Sequence, residues 1–390
     1  MKLYKTAMNS IIYKKYSGET LILLLCVLIL LLCASFFLLG CSSFGQLPEG
    51  ERLKRIKESP NYSNGEFHNQ IPTTTRIDEE GFFSAMYKFL FKKPENLKPE
   101  NPLPVVKTDL KSLDENRNLI VWLGHSSSYV QFNKKRILID PVLENSAAPI
   151  SFLNKAFAGD YPYSVKDLPD IDYIIISHDH WDHLEYPTMQ ALKNKIKAVI
   201  CPLGVGSHLE YWGFDPKNIY EGDWHNSFQL DTDFTIHILP ARHFSGRWLK
   251  RNRTLWAGFI LESKEFKVFY SGDTGYGPHF AEIGKKFGSV DLAIIENGQY
   301  DLDWATIHLM PEETVQAALD VGAKSLLPVH SGRFAICRHP WYDPYVRITS
   351  ASKDKNFRLL TPKIGEVIYL DDLNQSFTPW WQDYIKQTDE

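Results

Sequence analysis

Short apolar runs alternate with turns along residues 116–370, and a few amphipathic stretches lie between them. Apolar runs of this length are typical of β-strands, and amphipathic stretches with helical spacing predict helices at about 187–196, 278–287 and 311–321. Many strands with a few interposed helices favour a layered α/β domain. The predicted strands are 119–123, 129–132, 137–139, 173–176, 198–200, 235–239, 256–262, 266–270, 292–295, 325–329 and 366–370.

The N-terminus combines a lysine-containing start with an uncharged apolar run over 21–40. This combination is typical of an export signal. The run ends Leu38-Leu39-Gly40-Cys41, which resembles a bacterial lipobox in which Cys41 becomes the lipidated first residue. The run is also long enough for an uncleaved transmembrane helix with a cytoplasmic N-terminus. Both interpretations predict a membrane-anchored protein of the bacterial cell envelope whose remaining chain lies outside the cytoplasm.

Residues 42–115 are polar and rich in turns, apart from an amphipathic piece over 81–90. We expect this region to wrap the domain that follows it, with a position facing the membrane as the alternative. The predicted organisation is an export signal or anchor at 1–41, an N-terminal extension at 42–115, a catalytic domain at 116–375 and a C-terminal tail at 376–390.

Charge and cysteine content narrow the class of protein only slightly. The formal net charge of −4 gives no basic footprint for nucleic acid, so no nucleic-acid partner is expected. Cys201 and Cys337 are the cysteines that remain after the apolar N-terminal run and Cys41. A disulfide between them is possible, but two separate buried thiols are the favoured interpretation. The oligomeric state stays open.

The most informative motif is the run His178-Asp179-His180-Trp181-Asp182-His183. It joins a strand-like segment to a helix-like one, so it lies on a loop at the end of a rigid element. Side chains two residues apart on an extended segment point to the same side, so His178 and His180 can bind one metal ion. A turn can bring Asp182 and His183 to a second one. Imidazole and carboxylate ligands suit zinc, with manganese or iron possible.

Three further metal-binding side chains each follow a predicted strand, namely His243, Asp273 and His330. The motif and this His, Asp, His order resemble the metallo-β-lactamase-fold hydrolases. The resemblance covers about 116–370 and implies a four-layer α/β/β/α sandwich with two Zn²⁺ ions at one edge. It also implies that His178, His180 and His243 hold one zinc, that Asp182, His183 and His330 hold the other, and that Asp273 bridges them.

A binuclear site of this kind implies hydrolysis of an ester, lactone, amide or phosphodiester by metal-activated hydroxide. Metal binding lowers the pKa of water from about 15.7 to about 7, so neither a serine nor a cysteine nucleophile is required. Asp182 and Asp273 would offset the metal charges and fix the geometry. Residues that orient the imidazoles from behind are expected, but the sequence does not identify them.

Three blocks further resemble the N-acylphosphatidylethanolamine-hydrolysing phospholipase D branch: Gly124-His125-Ser126-Ser127 with Ile139-Asp140-Pro141, His243 through Gly258 with 271–276, and 308–313 with His330. The resemblance implies that His308 contacts the substrate phosphate or acts as an acid. The basic and aromatic stretch 242–256 favours a phosphate-bearing lipid substrate. Candidate substrate residues are His125, Arg247, Arg253 and Trp256.

Two other functions stay open. One is a lactonase or esterase on the same scaffold, including the ascorbate-phosphate lactonase type that shares the Gly-His-Ser start. The other is a non-catalytic envelope lipoprotein that uses the site to bind metal. A screen of lactones against diacyl phosphodiesters would separate the enzymes, and stoichiometric metal without any hydrolysis would favour the binding protein.

Overall fold

The computed structural model describes residues 18–74, 94–247 and 250–385. The chain divides into two compact units, Met1–Phe44 and Gly45–Glu390. The first contains helix α1 (Gly18–Phe44). Within the described residues, no helix meets the length and hydropathy that crossing a membrane requires. The predicted amphipathic piece at 81–90 and Trp248 lie outside the described residues.

The first of two seven-stranded sheets has the order β16-β3-β4-β5-β6-β7-β8. Strands β16, β3, β4 and β5 pair antiparallel, and β5 to β8 pair parallel. Parallel pairing buries strands on both faces, which explains their continuous apolar runs. The strands are β3 (Leu119–Trp122), β4 (Ser128–Phe132), β5 (Lys135–Ile139), β6 (Ile171–Ile175), β7 (Ile196–Pro202), β8 (Ile219–Gly222) and β16 (Val367–Tyr369).

The second sheet has the order β15-β14-β13-β12-β11-β10-β9. Strands β9 to β12 pair antiparallel, and β12 to β15 pair parallel. The strands are β9 (Ser227–Asp231), β10 (Phe234–Leu239), β11 (Gly258–Glu262), β12 (Lys267–Tyr270), β13 (Leu292–Glu296), β14 (Ser325–Val329) and β15 (Arg358–Leu359).

The two sheets pack face to face, with helices on their outer faces. The central core joins residues of both sheets, such as Ile137 and Phe259. A second cluster covers the outer face of the first sheet with α3 (Tyr186–Leu192) and α4 (Gly206–Tyr211). A third covers the second sheet with α5 (His279–Phe287), α6 (Pro311–Asp320) and α7 (Asp343–Ala351). The predicted four-layer α/β/β/α sandwich is confirmed.

Local predictions were wrong in a few places. The helix predicted over 187–196 ends at Leu192, and Ile196 begins β7, because the β-branched run that follows pairs with β6. The strand predicted from 256 begins at Gly258. Strands β8, β9 and β15 and helices α4 and α7 were not predicted. Of these, β8 and β15 are short and β9 is half-exposed.

The residues after α1 pack on the sandwich. Helix α2 (Gly50–Lys57) precedes the hairpin of β1 (Tyr62–Ser63) and β2 (Glu66–Phe67). Arg52 and Arg55 of α2 form ion pairs at 2.9 and 2.6 Å with the buried carboxylate of Glu221, at the end of β8. Residues 45–74 thus belong to the same compact unit as the sandwich. The boundaries at 41, 115 and 375 stay predictions.

Candidate metal centre

The first group of candidate ligands comprises His178, His180 and His243, here called the histidine triad. His178 Nε2 lies 2.9 Å from His180 Nδ1, and His243 Nε2 lies 3.3 Å from the same atom. His178 and His180 follow β6, and His243 follows β10, so strands of both sheets bring the three nitrogens together.

The second group comprises Asp182, His183 and His330, here called the mixed triad. Asp182 Oδ2 lies 3.3 Å from His330 Nε2 and 3.5 Å from His183 Nε2. His330 directly follows β14, and both imidazoles are buried.

Asp273 lies between the triads. Its Oδ2 is 3.1 Å from His183 Nε2 and 3.3 Å from His330 Nε2, and it is 3.8 Å from His243 Nε2 and 3.9 Å from His178 Nε2. Its Oδ1 is a buried atom that has no hydrogen-bond partner among the described residues. One carboxylate therefore faces ligands of both triads, as a bridging ligand would.

The donor chemistry of the histidine triad fits a cation. Burial lowers the pKa of His178 and His243 well below the usual histidine value and lowers that of His180 to about 4. The rings are therefore neutral near pH 7. Each neutral imidazole offers one nitrogen lone pair, and nitrogens of His178 and His243 lie 2.9 and 3.3 Å from His180 Nδ1, close enough for the three rings to share one metal ion.

The mixed triad has the opposite electrostatics. Burial alone would lower the pKa of His183, but the Asp273 and Asp182 carboxylates outweigh it and raise that pKa well above its usual value. In the same way the pKa of His330 is raised to about 10, because Asp273, Asp182 and Glu296 overcome burial. The carboxylates thus make this half of the centre strongly attractive to positive charge.

Asp140 supports the mixed triad from behind, a role the sequence did not identify. His183 Nδ1 donates to Asp140 Oδ2 at 2.7 Å, which directs His183 Nε2 towards Asp273. Ser177 and Tyr270 donate hydrogen bonds to the same buried carboxylate. The available signal was a lone aspartate directly after the apolar strand 137–139, inside a block that carries the family resemblance.

Glu296 supports the other side of the centre and was also not identified. It ends β13, its Oε2 accepts from His308 Nδ1 at 2.7 Å, and the same oxygen lies 3.3 Å from His330 Nδ1. Its Oε1 accepts from the backbone N–H of Thr274 at 2.5 Å. A glutamate at the end of the apolar run 292–295 was the only sequence signal.

His308 and His125 both lie at the centre. The His308 ring is 5.0 Å from the His243 ring and 5.3 Å from the His330 ring. His125 Nε2 donates to Asp182 Oδ2 at 2.9 Å, and burial lowers the pKa of His125 to about 4. His125 is fully buried, so its position favours contact with Asp182 over a place on an open substrate surface.

Three residues of the centre have strained backbone conformations. His125, Asp140 and His330 have φ angles of +53°, +39° and +66°. A non-glycine residue in this region costs on the order of 1–3 kcal/mol and persists only where surrounding contacts impose it, commonly at functional sites. Each of the three follows a strand and turns its side chain to the centre.

The other candidate substrate residues are not brought to the metal-facing atoms. The buried Arg247 guanidinium donates to the backbone oxygens of Asp179 and Leu184 at 2.8 and 2.6 Å. It therefore braces the loop 178–184, here called the ligand loop. Arg253 donates to Gly65 O at 2.5 Å. Trp256 is buried in the core. The predicted role of these three residues in substrate binding stays a prediction, and their positions in the structure do not favour it.

Asp179 fixes the ligand loop from its buried side and was missed. Its carboxylate accepts from Gly246 N at 2.7 Å, Thr254 Oγ1 at 2.8 Å and His208 Nε2 at 3.2 Å. Burial favours the neutral form, but the hydrogen bond from His208 and nearby positive charge lower the pKa of Asp179 overall. The sequence did contain a signal for this role: side chains alternate along an extended segment, so Asp179 points away from the side on which His178 and His180 lie.

The predicted separate thiols are confirmed, because Cys201 and Cys337 are both buried and unpaired.

Comparison with known proteins places this centre in a family. The family described as "Beta-lactamase superfamily domain" matches residues 135–331. The N-acyl-phosphatidylethanolamine-hydrolyzing phospholipase D 1 of Caenorhabditis elegans is 30% identical over 264 residues, which cover 63% of this chain and 74% of that protein. The outer membrane protein RomA of Klebsiella pneumoniae is 65% identical over 99 residues, or 25% of this chain and 75% of that protein.

A solved structure gives the same fold. Igni18, a metallo hydrolase from the archaeon Ignicoccus hospitalis, has a TM-score of 0.50 and 18% identity, and the match covers 65% of this chain and 98% of Igni18. At this identity the likeness concerns the fold alone.

Proposed function

We propose a phospholipase D-type activity for this chain, which belongs to the beta-lactamase superfamily and is a metal-dependent hydrolase of that superfamily. The substrate would be an N-acylphosphatidylethanolamine-like phospholipid, and the metal would be zinc at two positions. The observation that carries the proposal is the pair of ligand triads that face one shared carboxylate, Asp273, with His308 beside them.

Two metal positions are supported by the ligands themselves. Imidazole and carboxylate donors suit zinc, and the histidine triad and mixed triad each provide three of them. Bound zinc would supply a Lewis acid and lower the pKa of water to about 7. Asp182 and Asp273 would offset the positive charge, while Asp140 and Glu296 hold His183 and His308 in fixed orientations.

His308 is the proposed proton carrier. Glu296 accepts a hydrogen bond from His308 Nδ1–H, so Nε2 is the ring nitrogen left for proton transfer: the imidazolium would give its Nε2 proton to the leaving alcohol oxygen and become the neutral ring. In the proposed reaction the oxygen of water forms a bond to phosphorus, and the bond from phosphorus to the alcohol oxygen breaks. The products are phosphatidic acid and an N-acylethanolamine. Similarity to the C. elegans phospholipase supports this substrate class.

We further propose that the protein acts at the bacterial cell envelope, anchored by a lipid on Cys41. The lipobox-like sequence Leu38-Leu39-Gly40-Cys41 and the partial similarity to an outer membrane protein support this location. An anchor at a bilayer would bring a lipid substrate within reach of the catalytic domain.

The test uses the full chain, purified in detergent micelles and loaded with zinc, in water enriched in ¹⁸O. N-acylphosphatidylethanolamine, phosphatidylcholine and a panel of lactones are offered separately. We expect phosphatidic acid that carries ¹⁸O, read by mass spectrometry. Asp182→Asn should abolish this product, whereas His237→Gln should not, since His237 pairs with Glu262 on β11, away from the ligands.

Three results would contradict the proposal. They are full turnover after complete metal removal, ¹⁸O in the alcohol product instead of phosphatidic acid, and hydrolysis of lactones without any phosphodiester cleavage. The last result would establish the lactonase alternative.

A further inference from the structure

The segment 61–74 of the N-terminal extension reaches the metal centre. It lies well before residues 135–331, which match the superfamily domain. The backbone N–H of Phe67 donates to Asn252 O at 2.8 Å, and Arg253 donates to Gly65 O. The hairpin of β1 and β2 is therefore attached to the loop that follows His243.

Asn69 makes a two-point contact with the backbone of His243. Its Nδ2 donates to His243 O at 2.8 Å, and the backbone N–H of His243 donates to its Oδ1 at 3.1 Å. The indole Nε1 of Trp256 also donates to Oδ1, at 3.0 Å. Two donors at one atom fix that atom as the oxygen, so the side-chain amide has a single orientation.

The contact with Asn69 fixes the backbone of His243, whereas the hydrogen bond of its ring fixes only the ring orientation. His243 Nδ1 donates to Ile307 O at 3.0 Å, which sets the ring and leaves Nε2 to face His180. Asn69 holds the backbone on which that ring is mounted. His178 and His180, by contrast, lie in the loop after β6, which Asp179 and Arg247 hold.

Neighbouring residues of the segment hold the adjoining loops. The Arg242 guanidinium donates to Thr73 Oγ1 at 3.0 Å and to Pro72 O at 3.2 Å. Thr306 Oγ1 donates to Thr74 O. The same eight-residue stretch, 67–74, therefore contacts the loop that carries His243 and the loop that carries Ile307 and His308.

We propose that Asn69 is a positioning residue for the metal ligand His243 and that the extension completes the histidine triad. The extension is then a working part of the metal centre and not only a connection to the N-terminal helix. This inference rests on the proposed metal site, but it does not depend on which substrate is hydrolysed.

The experiment measures zinc affinity of the full chain by competition with a chromophoric chelator. Substitution of a residue that orients a metal-bound histidine from behind typically lowers metal affinity about 10–100-fold. We expect Asn69→Ala to weaken one of two zinc equivalents about 10-fold or more and to leave the other unchanged. The cobalt-substituted protein should show altered absorption bands for one of its two ions.

Asn61→Ala is the matched control. Asn61 lies in the same segment and donates to Asp223 Oδ1 at 2.8 Å, so it attaches the extension without touching a ligand loop. It should bind both zinc ions as the unaltered protein does. If Asn69→Ala does not fold, Asn69→Asp replaces it, because this variant keeps the shape and both accepted hydrogen bonds but puts a charged carboxylate oxygen, which repels His243 O, in place of the donor.

Two results would overturn the inference: zinc affinities of Asn69→Ala or Asn69→Asp equal to those of the unaltered protein, or an equal loss in Asn61→Ala. Failure of the proposed function is distinguishable, because then the unaltered protein itself would bind fewer than two zinc ions or hydrolyse no phospholipid.

Discussion

The histidine triad and the mixed triad share Asp273 but differ in their charge. The histidine triad has three neutral imidazoles, and two of its rings contact neutral groups: the Ser177 hydroxyl beside His178 and the Ile307 carbonyl behind His243. The mixed triad contains the Asp182 carboxylate and is backed by two more, Asp140 and Glu296. The two positions therefore differ both in a ligand, Asp182, and in the carboxylates behind the ligands, Asp140 and Glu296.

The largest effect is expected at the residue that joins the triads. Asp273→Asn removes the shared negative charge, and we expect turnover to fall about 1,000-fold or more, since the ligands act as a unit. Measured zinc content should fall below two per chain. Turnover within about tenfold of the unaltered protein would show that the triads do not depend on a common carboxylate.

The next largest loss of turnover is expected at His308, which lies between the triads and is not assigned as a ligand. His308→Gln should lower turnover about 100-fold or more, because general acids contribute about 10²–10⁴-fold to rate. Zinc content should stay at two, measured on the same sample by elemental analysis. Loss of a zinc equivalent would instead make His308 a ligand, in keeping with its place near Asp273, Glu296 and His330.

A smaller effect, on zinc affinity, is expected when the carboxylate behind the mixed triad is neutralised. Asp140→Asn keeps the shape of a buried side chain but removes the charge behind His183, and we expect zinc affinity to fall about 10–100-fold at one position. Glu221→Gln is the matched control, because Glu221 is a buried carboxylate that binds Arg52 and the backbone of Gly204 far from the ligands. It should lower the melting temperature and leave zinc affinity unchanged. Equal zinc loss in both variants would contradict the assignment.

The smallest effect compares the two positions in the unaltered protein. Because the mixed triad carries more negative charge, we expect a chelator to remove two zinc ions in separate steps whose dissociation constants differ about tenfold, or by about 1.4 kcal/mol. His180→Ala should eliminate the weaker step and Asp182→Ala the tighter one. The reverse assignment, or a single step, would show that the surrounding carboxylates do not decide affinity.

The sequence predicted the candidate ligands that lie just after the ends of strands. A strand that buries both faces reads as an apolar run, so a polar residue directly after it marks a loop, and this rule located His178, Asp273 and His330. The same rule applied to Asp140 and Glu296, but one carboxylate after a strand has no spacing that distinguishes a supporting residue from a surface one. Arg247 misled for a related reason, since a basic residue beside a ligand does not reveal whether it faces the cavity or the loop backbone.

The sequence by itself indicated a layered α/β domain and the cluster His178–His183, because strand periodicity and residue spacing are local properties of the chain, and its family resemblance implied the four-layer sandwich and the other candidate ligands. Only the tertiary structure decided which groups stand behind those ligands. Asp140 and His183 are 43 residues apart and Asn69 and His243 are 174 apart, and contacts over such separations depend on how the two sheets pack. The contribution of Asp140 and Glu296 to the difference between the two triads is a property of that packing, since the electrostatic field at a buried atom is the sum over every charge the fold brings near it.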